Sequence, residues 1–466
     1  MEIDNKHSDG GVVLKKNKYE IDMCNGSIMN KLISFSLPLM LSGILQLMFN
    51  AVDIIVVGQF TGSEALAAVG STTALIAVFT NLFIGISLGA NVLAARFYAA
   101  GKHKEMSDTV HTSITLALIS GIVMAFAGLL FSRLALEIMA TPDNVIDQST
   151  LYMRIYFLGM PFFMLYNYGA AILRAVGDTK RPLLYLIISG LANAGLNMLL
   201  VIVFHMGVAG VAIGTIVSQF ISCVLVLRCL YCSDSSYQLR FSRLTIKGKY
   251  AEQIFQVGIP AGIQSTVINL SNALLQSSVN SFGSVAMAGY TAANNIFGFL
   301  YVSVNSVTQS CMSFTSQNYG VRKTKRMDRV LLDCAVLSFV FSFTLGCGAY
   351  FFGDKLLRLY TSDPDVIQCG IEILAYTTVP YFCCGIMDLI PGALRGMGHS
   401  GVPMILSIIG TVGTRIVWIF GLFPHHRSLS FLFISYPASW ILTIIMQVIC
   451  FYFVRKKVHK TLLVTA

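Results

Sequence analysis

The sequence predicts an all-α polytopic membrane protein, with about twelve transmembrane helices in two pseudo-symmetric six-helix bundles. Three observations predict it. The 466 residues are 55% hydrophobic and only 12% charged, with a mean hydropathy of +0.71, the composition of a multi-pass membrane chain. Apolar runs recur that are long enough to cross a bilayer, since ~20 helical residues at ~1.5 Å rise span the ~30 Å hydrocarbon core. The second half of the chain also repeats the first at a nearly constant offset.

Residues 1–30 are polar and mixed in charge and read as a cytosolic tail, disordered through Glu20. The first apolar run is already a full span, so no secretory signal is expected. An N-terminal bundle is expected over 31–231, with spans near 33–57, 65–95, 110–131, 150–173, 183–204 and 208–230. Thr141-Pro-Asp143 marks a turn between the third and fourth. The longest polar connection, 232–249, carries Arg240, Arg243, Lys247 and Lys249 and reads as a cytoplasmic linker. A C-terminal bundle is expected over 250–455, with spans near 254–279, 286–313, 330–352, 366–389, 403–420 and 429–453. Residues 456–466 are expected to form a second cytosolic tail.

Basic residues gather in alternate loops. Arg96, Lys102 and Lys104 follow the second span, Arg174, Lys180 and Arg181 the fourth, and Arg322, Lys323, Lys325, Arg326 and Arg329 the eighth. Loops after odd-numbered spans carry fewer bases and hold Glu64, Asp143, Asp147, Asp363 and Asp365. The positive-inside rule then puts the basic loops and both termini in the cytoplasm of a cell-membrane protein. The same pattern explains the net charge of +10 without nucleic acid as a partner. The eleven cysteines lack metal-ligand spacing, and most lie in apolar spans as small hydrophobes.

The repeat is specific. Leu173-Arg-Ala-Val-Gly-Asp178 and Pro182 match Leu394-Arg-Gly-Met-Gly-His399 and Pro403 at an offset of 221 residues. Pro38 with Pro260, Asn50 with Asn272, and Pro142 with Pro364 pair at 222. An even number of spans per half gives both halves one orientation, the build of transporters that hold substrate between rocking bundles.

Within the first span, Gln46, Asn50 and Asp53 share one helix face at i, i+4 and i+7. A carboxylate at that depth costs ~2.5 kcal/mol or more, so it must face protein or water. Asp53 is read as the coupling site; the bland reading is a structural acid bridging helices. The seventh span carries Ser265, Asn269, Asn272 and Gln276 on one face, which either lines a cavity or glues helices at ~1 kcal/mol or less per contact. Asp388 on the tenth span and Arg415 on the eleventh make a possible second site. If they pair, Asp388 is structural; if not, it is a further proton or cation site. Gln264, Asn269, Asn272, Gln276 and Tyr290 are the expected cavity lining. Aromatic and methionine residues suit a polyspecific cavity, though most must face lipid or core.

Several motifs together carry a family resemblance. Leu37-Pro-Leu-Met40, Val52-Asp-Ile-Ile-Val-Val-Gly58, Leu173-Arg-Ala-Val-Gly-Asp178, Gly207-Val-Ala-Gly-Val-Ala212, Gly258-Ile-Pro-Ala-Gly-Ile-Gln264 and Gly392-Ala-Leu-Arg-Gly-Met-Gly398 occur in an order that resembles the multidrug and toxic compound extrusion (MATE) transporters. The resemblance implies a two-lobe antiporter, not an enzyme, that exports small organic cations in exchange for H⁺ or Na⁺. It also implies a lipid-embedded monomer with no cofactor beyond the coupling ion. Asp53 lies fifteen residues after Pro38 and matches the family's first-helix acid. The family's fifth-helix Asn-x-x-x-Asp corresponds to Asn193-Ala-Gly-Leu-Asn197, so Asn197 stands where an acid is expected. A family sixth-helix Thr fits Thr215. One carboxylate among neutral oxygens favours a proton over Na⁺, because desolvation favours a carboxyl's neutral form.

The alternative within membrane transport is a flippase for a lipid-linked sugar or other amphiphile, which wants a cationic central cavity. Arg415 is the main deep base, and Asp53 and Asp388 stand against that reading. A membrane enzyme wants a cluster of histidines, paired acids or an activated nucleophile, and His205 and His425-His426 do not supply one.

Overall fold

The computed structural model describes residues 18–139 and 141–464. The expected tails therefore lie partly outside the described residues, at 1–17, 465 and 466. Twelve spans run through the rest. The first six are α1 (Ile28–Phe60), α2 (Ser63–Ala99), α3 (His103–Ile138), α4 (Asp143–Leu158 with Met160–Ala175), α5 (Lys180–Met198) and α6 (Gly207–Tyr231). The second six are α7 (Gly248–Asn280), α8 (Ser284–Gly320), α9 (Thr324–Phe351), α10 (Pro364–Thr378 with Tyr381–Gly396), α11 (Gly401–Ser407 with Thr414–Val417) and α12 (Leu429–Val464).

Eight of these helices are apolar enough to cross a membrane by composition alone, and α4 and α10 add two spans bent by 47° and 45°. The bends fall at Gly159-Met-Pro161 and Val379-Pro380, where proline removes a backbone donor and breaks the ladder. The remaining two, α7 and α8, are 33 and 37 residues long. Their length spans a bilayer easily, but their polar stripes dilute the apolar signal. Leucine, isoleucine and phenylalanine side chains such as Leu130, Ile138, Phe351 and Phe420 stand exposed on the outer surface, as a lipid-facing belt requires.

Each half has its own core. Tyr152, Phe157, Met160 and Tyr168 centre the first; Leu300, Tyr381, Phe433 and Trp440 centre the second. A third cluster joins the halves, where Phe35 and Leu39 of α1 pack on Val307, Cys311 and Phe314 of α8.

The halves meet most closely along α2 and α7. A Cβ added to Gly85 would sit 2.4 Å from the Gly262 Cα, and one on Gly89 would sit 2.1 Å from the Ile254 carbonyl oxygen. Only glycine lets the backbones approach this far. Ser313 Oγ donates to Asn91 Oδ1 at 3.1 Å, Gln317 Nε2 donates to the Ala175 carbonyl at 2.7 Å, and the Arg96 guanidinium lies 4.3 Å over the Tyr319 ring. The two halves are thus closed at the end that carries the basic loops.

Residues 18–27, placed in a tail by the sequence, lie across that closed end, and α1 already begins at Ile28. Tyr98 of α2 and Tyr237 of the linker, which packs on the first half, both donate to the Glu20 carboxylate, at 2.7 and 2.6 Å. On the other side Lys323 donates to the Cys24 carbonyl at 2.9 Å, and Arg326 reaches the carbonyls of Met23, Asn25 and Gly26. Met23 is fully buried between them.

Candidate functional site

In the first half, α1 delivers Asp53 into the space between α5 and α6. Asn197 Nδ2 donates to Asp53 Oδ1 at 2.5 Å and lies 3.4 Å from Asn193 Oδ1. Asn193 and Asn197 are one helical turn apart on α5, so both carboxamides face the same way; both are buried. Asn197 Oδ1 is buried with no donor. It rests on Gly214 of α6, where a Cβ would lie only 2.2 Å away. Thr215, beside it, is half-buried and donates its hydroxyl to its own helix at the Val211 carbonyl, 2.9 Å. Immediately past Met198, α5 continues as a π-helical turn at Leu199–Val203, a local widening common at functional sites.

The structure therefore brings Asp53, Asn193 and Asn197 together, with Thr215 on the adjoining helix. Gln46 and Asn50 remain exposed along α1 and take no part in the hydrogen bonds around Asp53. Two residues that the sequence reading missed belong here. Tyr152 and Tyr156 of α4 lie close enough to feel the Asp53 charge. The signal for them is two tyrosines at i, i+4 on one face of the fourth span, either side of Arg154.

In the second half, α7 turns one face toward the opposite half. Gly258 and Gly262 of that face touch α2; further along the same face, Asn269 and Gln276 are exposed and Asn272 half-exposed. The stripe thus lines a cleft between the halves at the end opposite the basic loops. Two residues expected in the cavity lining are buried instead. Gln264, 4% exposed, accepts from Arg395 Nη2 at 2.7 Å and donates to Ser407 Oγ at 3.0 Å. Tyr290, 3% exposed, meets the Tyr436 hydroxyl at 3.4 Å.

Asp388 and Arg415 do not pair. Arg415 Nη1 donates to Asn272 Oδ1 at 2.8 Å, and its guanidinium stacks 4.4 Å over the Tyr436 ring. Asp388 lies instead within electrostatic reach of Arg395 and Tyr301. Among the described residues no three His, Cys, Asp or Glu side chains gather as a metal cluster. A cation at Asp53 would meet one carboxylate beside the Asn197 amide, with Asn193 Oδ1 on the far side of that amide.

A duplicated bundle, closed at one end and cleft at the other, with a membrane-depth acid in one half, is the geometry of a secondary transporter. Comparison with known proteins gives the family. The MatE family profile matches residues 38–200 and 260–420, once per half. The chain belongs to the MatE family. It is a multi-pass membrane transporter, not an enzyme. The chain is similar to the probable multidrug resistance protein YoeA of Bacillus subtilis (strain 168), at 28% identity over 94% of this chain and 96% of that one. The probable multidrug resistance protein NorM of Thermotoga maritima is 26% identical over 84% of each chain. Among solved structures, an outward-facing multidrug resistance MATE transporter of the MOP superfamily superposes with a TM-score of 0.88 over 96% of this chain and all of the other, at 20% identity. That likeness gives the MatE chain the twelve-helix, two-lobe fold.

Proposed function

We propose that this MatE transporter exports small amphiphilic organic cations across the cell membrane in exchange for protons. The curated relatives are described as multidrug resistance proteins, which supports drug-like cargo. The observation that carries the coupling ion is the Asn197–Asp53 hydrogen bond. One carboxylate beside two carboxamides offers a Na⁺ ion a single formal charge, whereas a carboxyl removed from water takes up a proton readily. Proton uptake cancels the charge, weakens the acceptor that Asn197 donates to and frees α1 to shift against α5.

The basic, closed end is assigned to the cytoplasm, together with both termini, from the positive-inside rule. In this assignment the cleft opens outward and cargo leaves from it. Closing the cleft and opening the α2–α7 seam would present the same walls to the cytoplasm. The N-terminal bundle, 31–231, and the C-terminal bundle, 250–455, are the two rocking bodies, joined by the 232–249 linker, and the monomer is the working unit.

The test is transport of a fluorescent organic cation in proteoliposomes, with a pH gradient and a Na⁺ gradient imposed separately. A pH gradient alone drives wild-type transport, and Asp53→Asn abolishes it. Transport driven by Na⁺ alone overturns the proton assignment. Failure of both gradients, with Asp53→Asn silent, moves the reading toward an amphiphile flippase.

A further inference from the structure

The corresponding helix pairs of the two repeats carry opposite charge, at different positions along them. In the first half, the acid of α1 faces the carboxamides of α5. In the second half, α7 is the repeat of α1 and α11 the repeat of α5, and the facing pair is Asn272 and Arg415. Asn272 stands 222 residues after Asn50, and Arg415 stands 221 after Ala194, the neighbour of Asn193. A carboxylate in one lobe is answered by a guanidinium in the other.

Arg415 is only 3% exposed, and no acid pairs with it among the described residues. It has five N–H donors, yet both of its hydrogen bonds leave Nη1, to Asn272 Oδ1 at 2.8 Å and to Ser271 Oγ at 3.5 Å. Its Nε is buried with no acceptor. A neutral carboxamide, a hydroxyl and the Tyr436 face do not cancel a buried charge, and an uncompensated charge at membrane depth is a functional feature by default. Its helix is also locally irregular. The single α-helical turn Thr414–Val417 sits between two π-helical turns, Ile408–Gly413 and Trp418–Leu422. Such turns free backbone groups and re-aim side chains at binding sites. Arg415 reaches the cleft through Asn272, which belongs to the exposed stripe of α7 with Asn269 and Gln276.

We propose that Arg415 anchors an anion-binding subsite, with Asn272, Ser271 and Tyr436, that receives the carboxylate of a transported amphiphile. The cargo is therefore zwitterionic rather than purely cationic, an inference that rests on the export reading above. The incoming carboxylate replaces Asn272 Oδ1 on Nη1 and takes up the unused donors, as a guanidinium and a carboxylate match in bidentate geometry. Tyr436 holds the guanidinium plane from behind.

The test is equilibrium binding to the full chain in phosphatidylcholine nanodiscs, with no ion gradient, read by dye anisotropy. Rhodamine 110 and its methyl ester rhodamine 123 share one cationic ring system and differ in the free carboxylate. Wild type should bind rhodamine 110 at least about tenfold more tightly, the size of one charge-assisted hydrogen bond. Arg415→Gln should bring the two affinities within about twofold while rhodamine 123 binding persists; Arg415→Lys should retain most of the preference. Asn272→Asp supplies an internal counter-ion and should erase the preference without removing the arginine, so the inference stays testable even if Arg415→Gln does not fold. Equal affinities in wild type, binding of neither dye, or a preference that survives Arg415→Gln or Asn272→Asp overturns it. Because no gradient is used, loss of proton-driven transport with an intact carboxylate preference would count against the antiport reading alone.

Discussion

Asn197 donates to Asp53 at 2.5 Å while its own Oδ1, resting against Gly214, is buried without a donor. The amide that holds Asp53 thus belongs to a side chain whose other end is an unused acceptor, so the shortest route to a harder cation site is to make Asn197 a carboxylate. Asn197→Asp should convert a carrier indifferent to Na⁺ into one whose transport Na⁺ stimulates, because two carboxylates and the Thr215 oxygen suit a hard cation. Asp53→Asn should reduce gradient-driven transport by tenfold or more while leaving the folded fraction unchanged, since a carboxamide of the same shape can still meet Asn197. Vesicle flux with and without Na⁺ reads both variants. If Asn197→Asp remains indifferent to Na⁺, the two asparagines do not set the ion.

The α2–α7 seam is the second place where one atom should matter. Gly89→Ala puts a methyl 2.1 Å from the Ile254 carbonyl oxygen and Gly85→Ala puts one 2.4 Å from the Gly262 Cα, with backbone rather than flexible side chain in the way. Overpacking of this kind costs about 1–3 kcal/mol, all of it charged to the closed seam. Each variant should shift the population toward the opposite-facing state. Spin-label distances across the basic end should lengthen; if they match wild type, the seam yields without opening.

Residues 19–26 act as a strap between the halves. Glu20 is held by Tyr98 and Tyr237, and Lys323 and Arg326 hold the other end of the strap by its carbonyls. Hydrogen bonds to charged groups contribute about 1.5–3 kcal/mol each. Tyr98→Phe with Tyr237→Phe should release the strap from the first half alone, and Lys323→Ala with Arg326→Ala from the second alone. Either pair should make the chain near Glu20 cleavable by protease at least several-fold faster than wild type. Unchanged cleavage would show that the buried Met23 anchors the strap without them.

The contrast between the two lobes also shows what was legible in the sequence. Apolar length and the repeat were enough for the fold, because bilayer thickness and backbone satisfaction leave helices little choice. Asp53 was legible as a membrane-depth acid, and Asn193 and Asn197 through the family resemblance. The partner of Arg415 was not. Its carboxylate match with Asp388 was reasonable by charge, but the turn of α11 between two π-helical segments aims the guanidinium at α7 instead of α10. Gln264 carried a cavity-lining expectation from its polar type, yet Arg395 and Ser407 draw it into the protein. Rotation within a helix and the reach of a long side chain are tertiary facts, invisible to spacing alone. The strap was hidden for a related reason: Glu20 to Gly26 reads as polar tail because most of its partners are contributed from more than 70 residues away.

His399 gives the basic end a pH dependence with a definite sign. It occupies the repeat position of Asp178, in the turn between α10 and α11. Its Nδ1 lies 3.3 Å from the Met397 carbonyl, and the Arg96 guanidinium presses against the adjoining Gly398. Burial, and after it the positive charges of Lys457 and Arg96, hold its pKa below the ordinary value of 6.5. An imidazole depressed in the folded state binds fewer protons than in the unfolded chain, so unfolding takes up protons and stability rises with pH. The contribution is fully present above the ordinary histidine value and is lost as the pH falls through it toward the folded value. Acid therefore adds a third positive charge beside Arg96 and Lys457 and should loosen the closed end. Between pH 7.5 and 5.5, wild type should lose more Tm than His399→Asn, whose carboxamide can still donate toward Met397 but does not titrate. Parallel pH profiles for the two proteins would mean that His399 accepts its proton without cost and that the acid sensitivity of the closed end lies elsewhere.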